Sequence, residues 1–480
     1  MVSSDGKTVR LLKNVIYVFL GSISVKIVQI LMIPYYTRCF QPDQFGIIDL
    51  LTVYTTMLIA VCVCNIYDAV FIFPHGKSKS IQTAYFSTGL IFGAAALTIT
   101  AGLALILRQA GYYFHLKNIF FQYIMTIWLV LCTTFLQNYI QQFARGSDKM
   151  IVYVLCGVVH AVSLAGLALF LIPRWGLRGY ITAMTAAPLA AGVFGFLAGR
   201  MHRFFSFRAF RKDLLKAMLQ FSVPLIPATF LWWLINSSNR PIIENFFGLA
   251  SVGIFAIAAK LPGIMNMMYA IFQNAWQVSV VEEYRKTDYE RYYNTVFYLL
   301  FSFLTVLSCG VAVFARPMIR FFTTEEYYQA WQYIPALTLA IVFSNGAGFV
   351  GTNFTARKEG KYFFYSSIIC MIMNVILNFL LIPLFSLWGC TVSICLSCLI
   401  LFLSRVYYAR NFVRFTQIGR LLGLLFLNLA FIVLVLFVDS FLINVFCLTA
   451  AGLVLLFFNR RLLAEFLHRH PIFSGHIKAS

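Results

Sequence analysis

Long apolar stretches alternate with short polar segments along almost the whole chain. A helix needs about 20 apolar residues to cross the hydrocarbon core of a membrane, and windows of that length can be placed about fourteen times. The predicted spans are Leu11–Ile33, Phe45–Phe73, Ile81–Leu107, Ile119–Gln141, Ile151–Ile172, Leu177–Ala198, Leu214–Ser238, Leu249–Val280, Tyr293–Ala315, Ile334–Phe354, Tyr362–Leu384, Leu387–Ala409, Ile418–Val438 and Phe441–Phe458. This pattern predicts an all-α polytopic membrane protein with about 14 transmembrane helices.

Composition supports the same fold class. Of the 480 residues, 61% are hydrophobic and 11% are charged, whereas a soluble domain carries roughly 25% charged residues. The first apolar run is longer than the core of a cleaved signal peptide and lacks a small-residue cleavage site, which indicates a retained span. The eleven cysteines are scattered, with spacing typical of neither a disulfide framework nor a zinc site.

The positions of the basic residues predict the orientation. With the N-terminus in the cytoplasm, 27 of the 37 Lys and Arg residues fall on the cytoplasmic side, 8 fall on the other side, and Lys26 and Lys260 fall within spans. Because short cytoplasmic loops are enriched in Lys and Arg, both termini are predicted to be cytoplasmic. The net charge of +21 then reflects topology and contact with anionic lipid headgroups, and no nucleic-acid partner is expected.

Two sequence landmarks recur at nearly the same offset. The stretch LIPRWGLRG (171–179) resembles LIPLFSLWG (381–389), and QFGIIDL (44–50) resembles SVGIFAI (251–257). They predict two six-helix lobes in parallel repeat, related by an axis along the membrane normal, plus two C-terminal helices. The predicted domains are an N-terminal six-helix lobe (1–198), a basic cytoplasmic linker (199–213), a C-terminal six-helix lobe (214–410), and two extra helices with a cytoplasmic tail (411–480).

Catalytic, nucleotide-binding and metal-binding motifs are absent from the sequence. ARKEGKYF (356–363) contains a Gly-Lys pair but lacks the first glycine and the Ser or Thr of a phosphate-binding loop. Neither H-E-x-x-H nor G-x-S-x-G occurs. With short loops on both sides, no catalytic residue, metal or cofactor is expected, and the chain is not predicted to be an enzyme.

Lys26 and Lys260 are candidate substrate-binding residues because a charge inside a span costs about 2.5 to 3.5 kcal/mol at the helix centre. Lys26 lies roughly 12 Å from the outer end of its predicted helix at 1.5 Å per residue. Its side chain either faces a wet cavity between the lobes or reaches the interface. Lys260 lies at a comparable depth in the second lobe.

Further ionisable residues lie at or near the predicted span ends. In one interpretation, Arg38 and Arg240 join the two lysines in a cationic pocket for a phosphate-bearing substrate, and Asp49 and Glu244 partly balance its charge. In the other, the two arginines are interfacial anchors. Three residues are candidates for ion coupling or gating: Asp49, Asp68 and His160. For Asp68 the alternative is a capped interfacial carboxylate, and for His160 it is a helix–helix hydrogen bond.

Three stretches carry a resemblance to a known family. They are IPYYTRCFQPDQFGIIDLLTVYTT (33–56), QFSVPLIPATFLWWLINSSNRPIIENFFGLASVGIFAIAAKLPGIM (220–265) and NVILNFLLIPLFSLWG (374–389). The chain resembles the polysaccharide-biosynthesis flippases of O-antigen and capsule assembly. These belong to the multidrug/oligosaccharidyl-lipid/polysaccharide exporter superfamily.

The resemblance implies alternating access by two lobes in the bacterial cytoplasmic (inner) membrane. It implies a polyprenyl-pyrophosphate-linked oligosaccharide as substrate, for O-antigen (lipopolysaccharide), capsule or exopolysaccharide synthesis. Other membrane proteins of polysaccharide assembly are candidate partners. Cationic residues meet the pyrophosphate in the related lipid II flippases, and by position they correspond to Lys26, Arg38, Arg240 and Lys260. Asn239 stands where the family often has an acidic residue, so a local Asp–Arg pair is not expected there.

Two other readings stay open from the sequence. A multidrug or organic-cation antiporter of the same superfamily would need a cavity dominated by carboxylates. A membrane polysaccharide polymerase would need a large extracytoplasmic loop, and the predicted outer loops are short.

Overall fold

The computed structural model describes residue 21 and residues 23–284, 286, 288–416 and 418–469. Within these residues the chain forms α-helices and short 3-10 segments and has no β-strand. Residues 23–31 are helical and precede α1. Up to the basic linker, the helices are α1 (Ile33–Cys39), α2 (Pro42–Cys62), α3 (Ile66–Ile72), α4 (Lys79–Tyr113), α5 (Ile119–Gln122), α6 (Ile124–Gly146) and α7 (Met150–Ala198).

The second part of the chain is equally helical. Its helices are α8 (Lys212–Ser222), α9 (Ile226–Ser237), α10 (Asn239–Ala258), α11 (Pro262–Glu283), α12 (Tyr289–Phe322), α13 (Ile334–Ala356), α14 (Gly360–Ala409), α15 (Ile418–Phe437) and α16 (Phe441–Arg469). The 3-10 segments are Met201–Phe204, Phe207–Ala209, Val223–Leu225 and Glu325–Tyr333. The predicted all-α polytopic membrane fold is confirmed.

Eight helical segments among the described residues are long and apolar enough to cross a membrane. This number is smaller than the predicted fourteen partly because α7 (49 residues) and α14 (50 residues) each contain two predicted spans. In addition, the part of the first predicted span before residue 21 lies outside the described residues.

Both doubly long helices are broken at the repeated landmark. Gly176 has φ 53° and ψ −130°, and Ser386 has φ 54° and ψ −132°, so neither residue is helical. A proline precedes each break by three residues and removes a backbone donor from the helix. The same local geometry 210 residues apart supports the predicted internal repeat.

Several predicted spans are interrupted in the structure. The span predicted over Phe45–Phe73 divides into α2 and α3, because Cys64 (φ 51°) and Asn65 (φ 49°) adopt left-handed conformations. The span predicted over Leu249–Val280 ends its first helix at Ala258, and α11 begins at Pro262. Pro262 lies in the first turn of α11, where its missing backbone N–H removes no helical hydrogen bond, so this position suits the start of a new helix.

Contacts divide the chain into two compact units, Met1–Gly253 and Ile254–Ser480. In the first unit, an aromatic core forms where α4 and α6 meet, with Phe86, Phe135, Tyr139 and Phe143 all buried. The hydroxyl of Tyr139 donates to the carbonyl oxygen of Phe86 at 2.7 Å. The first unit extends past the basic linker because α9 and α10 pack along α2. The domain boundaries predicted from the repeat stay a prediction.

The second unit contains a buried polar ladder inside the α14 hairpin. The amide of Asn378 donates to the side-chain oxygen of Asn374 at 2.9 Å, and the amide of Asn374 donates to the hydroxyl of Ser397 at 3.3 Å. All three residues are at most 1% exposed. Because buried polar groups need partners, these hydrogen bonds fix the register of the two halves of α14.

Candidate functional site

An ion pair joins α2 to the start of α10. The Nε of Arg240 donates to Oδ2 of Asp49 at 3.2 Å, and the two side chains are only 15% and 16% exposed. Arg240 Nη1 also donates to the carbonyl oxygen of Asn236 at 2.7 Å and to Oδ1 of Asn239 at 3.1 Å. The guanidinium is therefore held by acceptors from two sides of the helix junction.

Glu244 lies four residues after Arg240 on α10 and binds two further partners. Its Oε1 accepts the backbone N–H of Ile119 at 2.6 Å, and its Oε2 accepts the hydroxyl of Tyr54 at 3.2 Å. We call Asp49, Tyr54, Asn239, Arg240 and Glu244 the Arg240 cluster. With two carboxylates and one guanidinium, the cluster has a formal charge of −1 when its carboxylates are ionised.

Close backbone contact between α2 and α10 allows the cluster to form. A methyl group added to Gly46 would overlap the carbonyl oxygen of Leu249, and one added to Gly253 would overlap that of Pro42. Gly46 and Gly253 are equivalent positions of the predicted repeat, and here they face each other. Small residues let two helix backbones approach closely in a membrane, so the pair sets the distance across which Arg240 reaches Asp49.

The structure shows which acceptors Arg240 uses in place of an adjacent acidic residue. Asn239 supplies a neutral side-chain oxygen to the guanidinium, while the carboxylate comes from Asp49, 191 residues earlier on another helix. Sequence reasoning placed both residues at the outer ends of their spans and did not identify their pairing. Only the packing of α10 on α2 brings them together.

The other predicted substrate-binding cations lie elsewhere. Lys26 is exposed on the helical residues before α1, and its amine donates to Oε1 of Gln29 at 3.1 Å. Arg38 is exposed in the last turn of α1 and forms no ion pair with the residues that the structure describes. Lys260 is exposed and belongs to the second unit. It lies in the turn between α10 and α11, so it is not in the interior of a continuous helix.

The two remaining predicted residues are each half-buried in the first unit. Asp68 lies in the first turn of α3, where its backbone N–H donates to the carbonyl oxygen of Asn65 at 2.9 Å. His160 lies in the first half of α7 and makes no side-chain hydrogen bond within the described part of the chain. Neither belongs to the Arg240 cluster, and their assignment to coupling or gating stays a prediction.

Sequence reasoning missed Arg405, which is only 4% exposed in the second unit. Its Nη1 donates to the carbonyl oxygen of Ala347 at 2.8 Å, its Nε donates to the hydroxyl of Ser366 at 3.3 Å, and its guanidinium lies 4.1 Å from the ring centre of Phe363. No carboxylate pairs with it among the described residues. The sequence does mark Arg405 as unusual, because it is a charged residue inside the predicted span Leu387–Ala409. In the count of basic residues on each side of the membrane it was assigned to the adjoining cytoplasmic loop.

The described residues contain no group of three His, Cys, Asp or Glu side chains that could hold a metal ion. In the Arg240 cluster a guanidinium lies against a carboxylate with a second carboxylate on the same helix, so the chemistry that the cluster offers is electrostatic. It can hold the cation of Arg240 against Asp49, release it to an anion, or exchange it for another cation.

Comparison with known proteins places the chain in a family. The family described as "Polysaccharide biosynthesis protein" matches residues 11–277. The "Capsular polysaccharide biosynthesis protein CapF" of Staphylococcus aureus is 22% identical over 200 residues, which is 41% of this chain and 50% of that protein. The chain thus matches about half the length of this relative.

Solved structures share the fold. The lipid II flippase MurJ in its inward closed conformation has a TM-score of 0.68 at 15% identity, covering 94% of this chain and 100% of that chain. An inward-facing multidrug resistance MATE family transporter of the MOP superfamily has a TM-score of 0.66 at 14% identity, covering 81% of this chain and 95% of that chain. Because the family match at residues 11–277 covers more than half of the sequence and includes the Arg240 cluster, this chain belongs to the polysaccharide biosynthesis protein family.

Proposed function

We propose that the protein is a flippase that carries a polyprenyl-pyrophosphate-linked oligosaccharide across the bacterial cytoplasmic membrane by alternating access. The oligosaccharide is a repeat unit for O-antigen, capsule or exopolysaccharide. Both termini lie in the cytoplasm, and the membrane proteins that elongate the polysaccharide are candidate partners.

The family match over residues 11–277 carries this proposal. It is supported by the capsule-related name of the Staphylococcus aureus relative and by the fold shared with a lipid II flippase. A lipid II flippase moves a lipid-linked saccharide, which is the class of substrate proposed here.

The exposed cations supply the chemistry for the pyrophosphate. Lys26, Arg38 and Lys260 are exposed, so their charges are accessible to a phosphate oxygen, and such charge-assisted hydrogen bonds are roughly twice as strong as neutral ones. Arg240 differs because Asp49 already balances its charge. A phosphate that replaces this carboxylate on Arg240 would remove the ion pair between α2 and α10. Asp49 then acts in gating.

Reconstitution tests the proposal. Purified protein is placed in proteoliposomes with a fluorescent polyprenyl-pyrophosphate oligosaccharide, and the labelled lipid reaching the opposite leaflet is measured with a membrane-impermeant quencher. We expect transport by the wild type and its loss in Lys26→Ala and Lys260→Ala, with retention in the corresponding arginine variants. Lys361→Ala removes an exposed lysine that pairs with Glu359 and serves as the matched control. Transport at the wild-type rate in both alanine variants would remove the two lysines from the substrate site.

A second candidate function is export of organic cations, and one observation favours it. The Arg240 cluster contains two carboxylates against one guanidinium, and a net negative site attracts a cation. The multidrug transporter fold is shared as well. Export of a fluorescent organic cation that depends on Asp49, together with no movement of the lipid-linked saccharide, would establish this function in place of the flippase.

A further inference from the structure

The basic linker and the start of α4 enclose an open cavity of about 810 Å³ in the first unit. Four cationic side chains line it, together with the four hydroxyl-bearing side chains of Ser80, Thr83, Tyr85 and Ser206. The cations are Lys77, Lys79, Arg208 and Arg211. No carboxylate lines the cavity among the described residues.

The linker wall is held in place by buried hydroxyl groups. Ser87 and Thr88 on α4 are both 0% exposed. The hydroxyl of Ser87 donates to the carbonyl oxygen of Phe204 at 3.2 Å and accepts the backbone N–H of Ser206 at 2.9 Å. Thr88 Oγ1 accepts the backbone N–H of Arg211 at 3.1 Å. Because the backbone on either side of Arg208 is anchored to α4, the cationic wall is formed before any ligand arrives.

The cavity keeps most of its positive charge. Arg211 forms an ion pair with Asp213 at 2.6 Å, and both side chains are 59% exposed. Lys77, Lys79 and Arg208 form no ion pair with any described residue. Lys149 lies nearby. Burial lowers its pKa, and repulsion from Lys79, Arg200 and Arg203 lowers it further. That repulsion indicates a positive potential around this end of α4.

Apolar side chains beside the cavity indicate a membrane surface. Phe207, next to Arg208 in the linker, is 76% exposed, and Ile81, which lines the cavity, is 42% exposed. The cavity lies at the first turn of α4, a candidate membrane span, and therefore at the level of the lipid headgroups. Cations beside exposed apolar side chains match a phosphate that carries acyl chains, whereas a soluble anion needs no such apolar neighbours.

We propose that this cavity binds the phosphate of an anionic phospholipid in the cytoplasmic leaflet. Lys77 and Arg208 contact the phosphate oxygens, and Ile81 and Phe207 contact the first part of the acyl chains. The site is separate from the Arg240 cluster, so its occupancy does not depend on the proposed transport function.

Lipid binding to the purified full chain tests this proposal. Native mass spectrometry counts bound lipid, and the melting temperature is followed as phosphatidylglycerol, phosphatidylcholine or inorganic phosphate is added. Phosphatidylglycerol should bind and raise the melting temperature, because a ligand of the folded state stabilises it. Lys77→Ala with Arg208→Ala should weaken this binding about thirtyfold, at about 1 kcal/mol for each basic residue.

The control double variant removes two exposed cations outside the cavity, Lys361→Ala with Arg410→Ala. It should bind phosphatidylglycerol like the wild type, and Lys77→Arg with Arg208→Lys should retain binding. Equal weakening in the control would show general attraction to anionic lipid and overturn the proposal. Equal binding of phosphatidylcholine would also overturn it, as would inorganic phosphate binding as tightly as phosphatidylglycerol, which would indicate a site for a soluble anion.

Discussion

Gly176 and Ser386 share one backbone conformation, with φ and ψ differing by no more than 2° between them. The conformation lies at positive φ, where glycine is unstrained and a residue with a Cβ is strained by about 1 to 3 kcal/mol. Glycine, which this conformation favours, is present at position 176. At position 386 the same conformation is adopted by a serine, which is strained there.

We predict that Ser386→Gly raises the stability of the protein by about 1 kcal/mol, because it removes this strain. Gly176→Ala introduces the same strain in the first copy and should lower stability by a similar amount. Thermal unfolding in detergent measures both. Ser404→Gly, in a regular helical part of α14, is the control and should lower stability through reduced helix propensity. A lower melting temperature in Ser386→Gly would contradict the strain.

The glycine contact between α2 and α10 yields a second prediction. Gly46→Ala and Gly253→Ala should each lower the yield of folded protein sharply, because the new methyl group meets backbone atoms that no side-chain rotation can move. Gly102→Ala on α4 is the matched control. Nothing lies within 4 Å of its added Cβ, so it should stabilise the helix by up to about 1 kcal/mol. Fluorescence-detected size-exclusion chromatography after heating compares the three variants, and equal behaviour would refute the close contact.

The Asp49–Arg240 pair should show strong energetic coupling. A double-mutant cycle with Asp49→Asn and Arg240→Gln compares melting in both single variants and the double variant. Each single substitution leaves one partly buried charge unpaired, so we expect a coupling of about 1 to 3 kcal/mol.

The exposed pair Arg211–Asp213 is the internal control for this cycle. Its side chains are 59% exposed against about 15% in the buried pair, and exposed ion pairs contribute about 0 to 1 kcal/mol. A coupling for Asp49–Arg240 no larger than that of the control would mean that the ion pair does not hold α10 to α2.

Two substitutions of Arg405 should change the stability of the protein by different amounts. Because no described carboxylate would be left unpaired, Arg405→Met should keep stability within about 1 kcal/mol of the wild type by replacing a buried cation with an apolar side chain of similar length. Arg405→Ala should lose about 2 to 5 kcal/mol through the cavity it leaves. Melting curves distinguish the two substitutions. If Arg405→Met unfolds as readily as Arg405→Ala, the hydrogen bonds of the guanidinium are the stabilising contribution instead.

Transport assays on Arg405→Met add a functional readout. A stable variant with normal transport would assign Arg405 to packing of the second unit. A stable variant with lost transport would show that the buried cation is retained for function.

The sequence alone determined the fold class and the family, and it predicted the internal repeat. These follow from local properties, since apolar runs of membrane-spanning length must form helices, and the two similar motifs LIPRWGLRG and LIPLFSLWG contain the same helix break in this chain. Lys26, Arg38, Asp49, Arg240 and Lys260 were found as candidates because charges near or within a span stand out against apolar neighbours.

Only the tertiary structure decided which of these charges meet. Arg240 pairs with Asp49 because Gly46 and Gly253 let two helices from distant parts of the sequence come into backbone contact. The basic cavity likewise depends on hydrogen bonds from Ser87 and Thr88 to a linker more than 100 residues later. Such contacts depend on how segments far apart in the sequence pack together. The pattern of polar and apolar residues along the chain does not specify which of these segments come into contact.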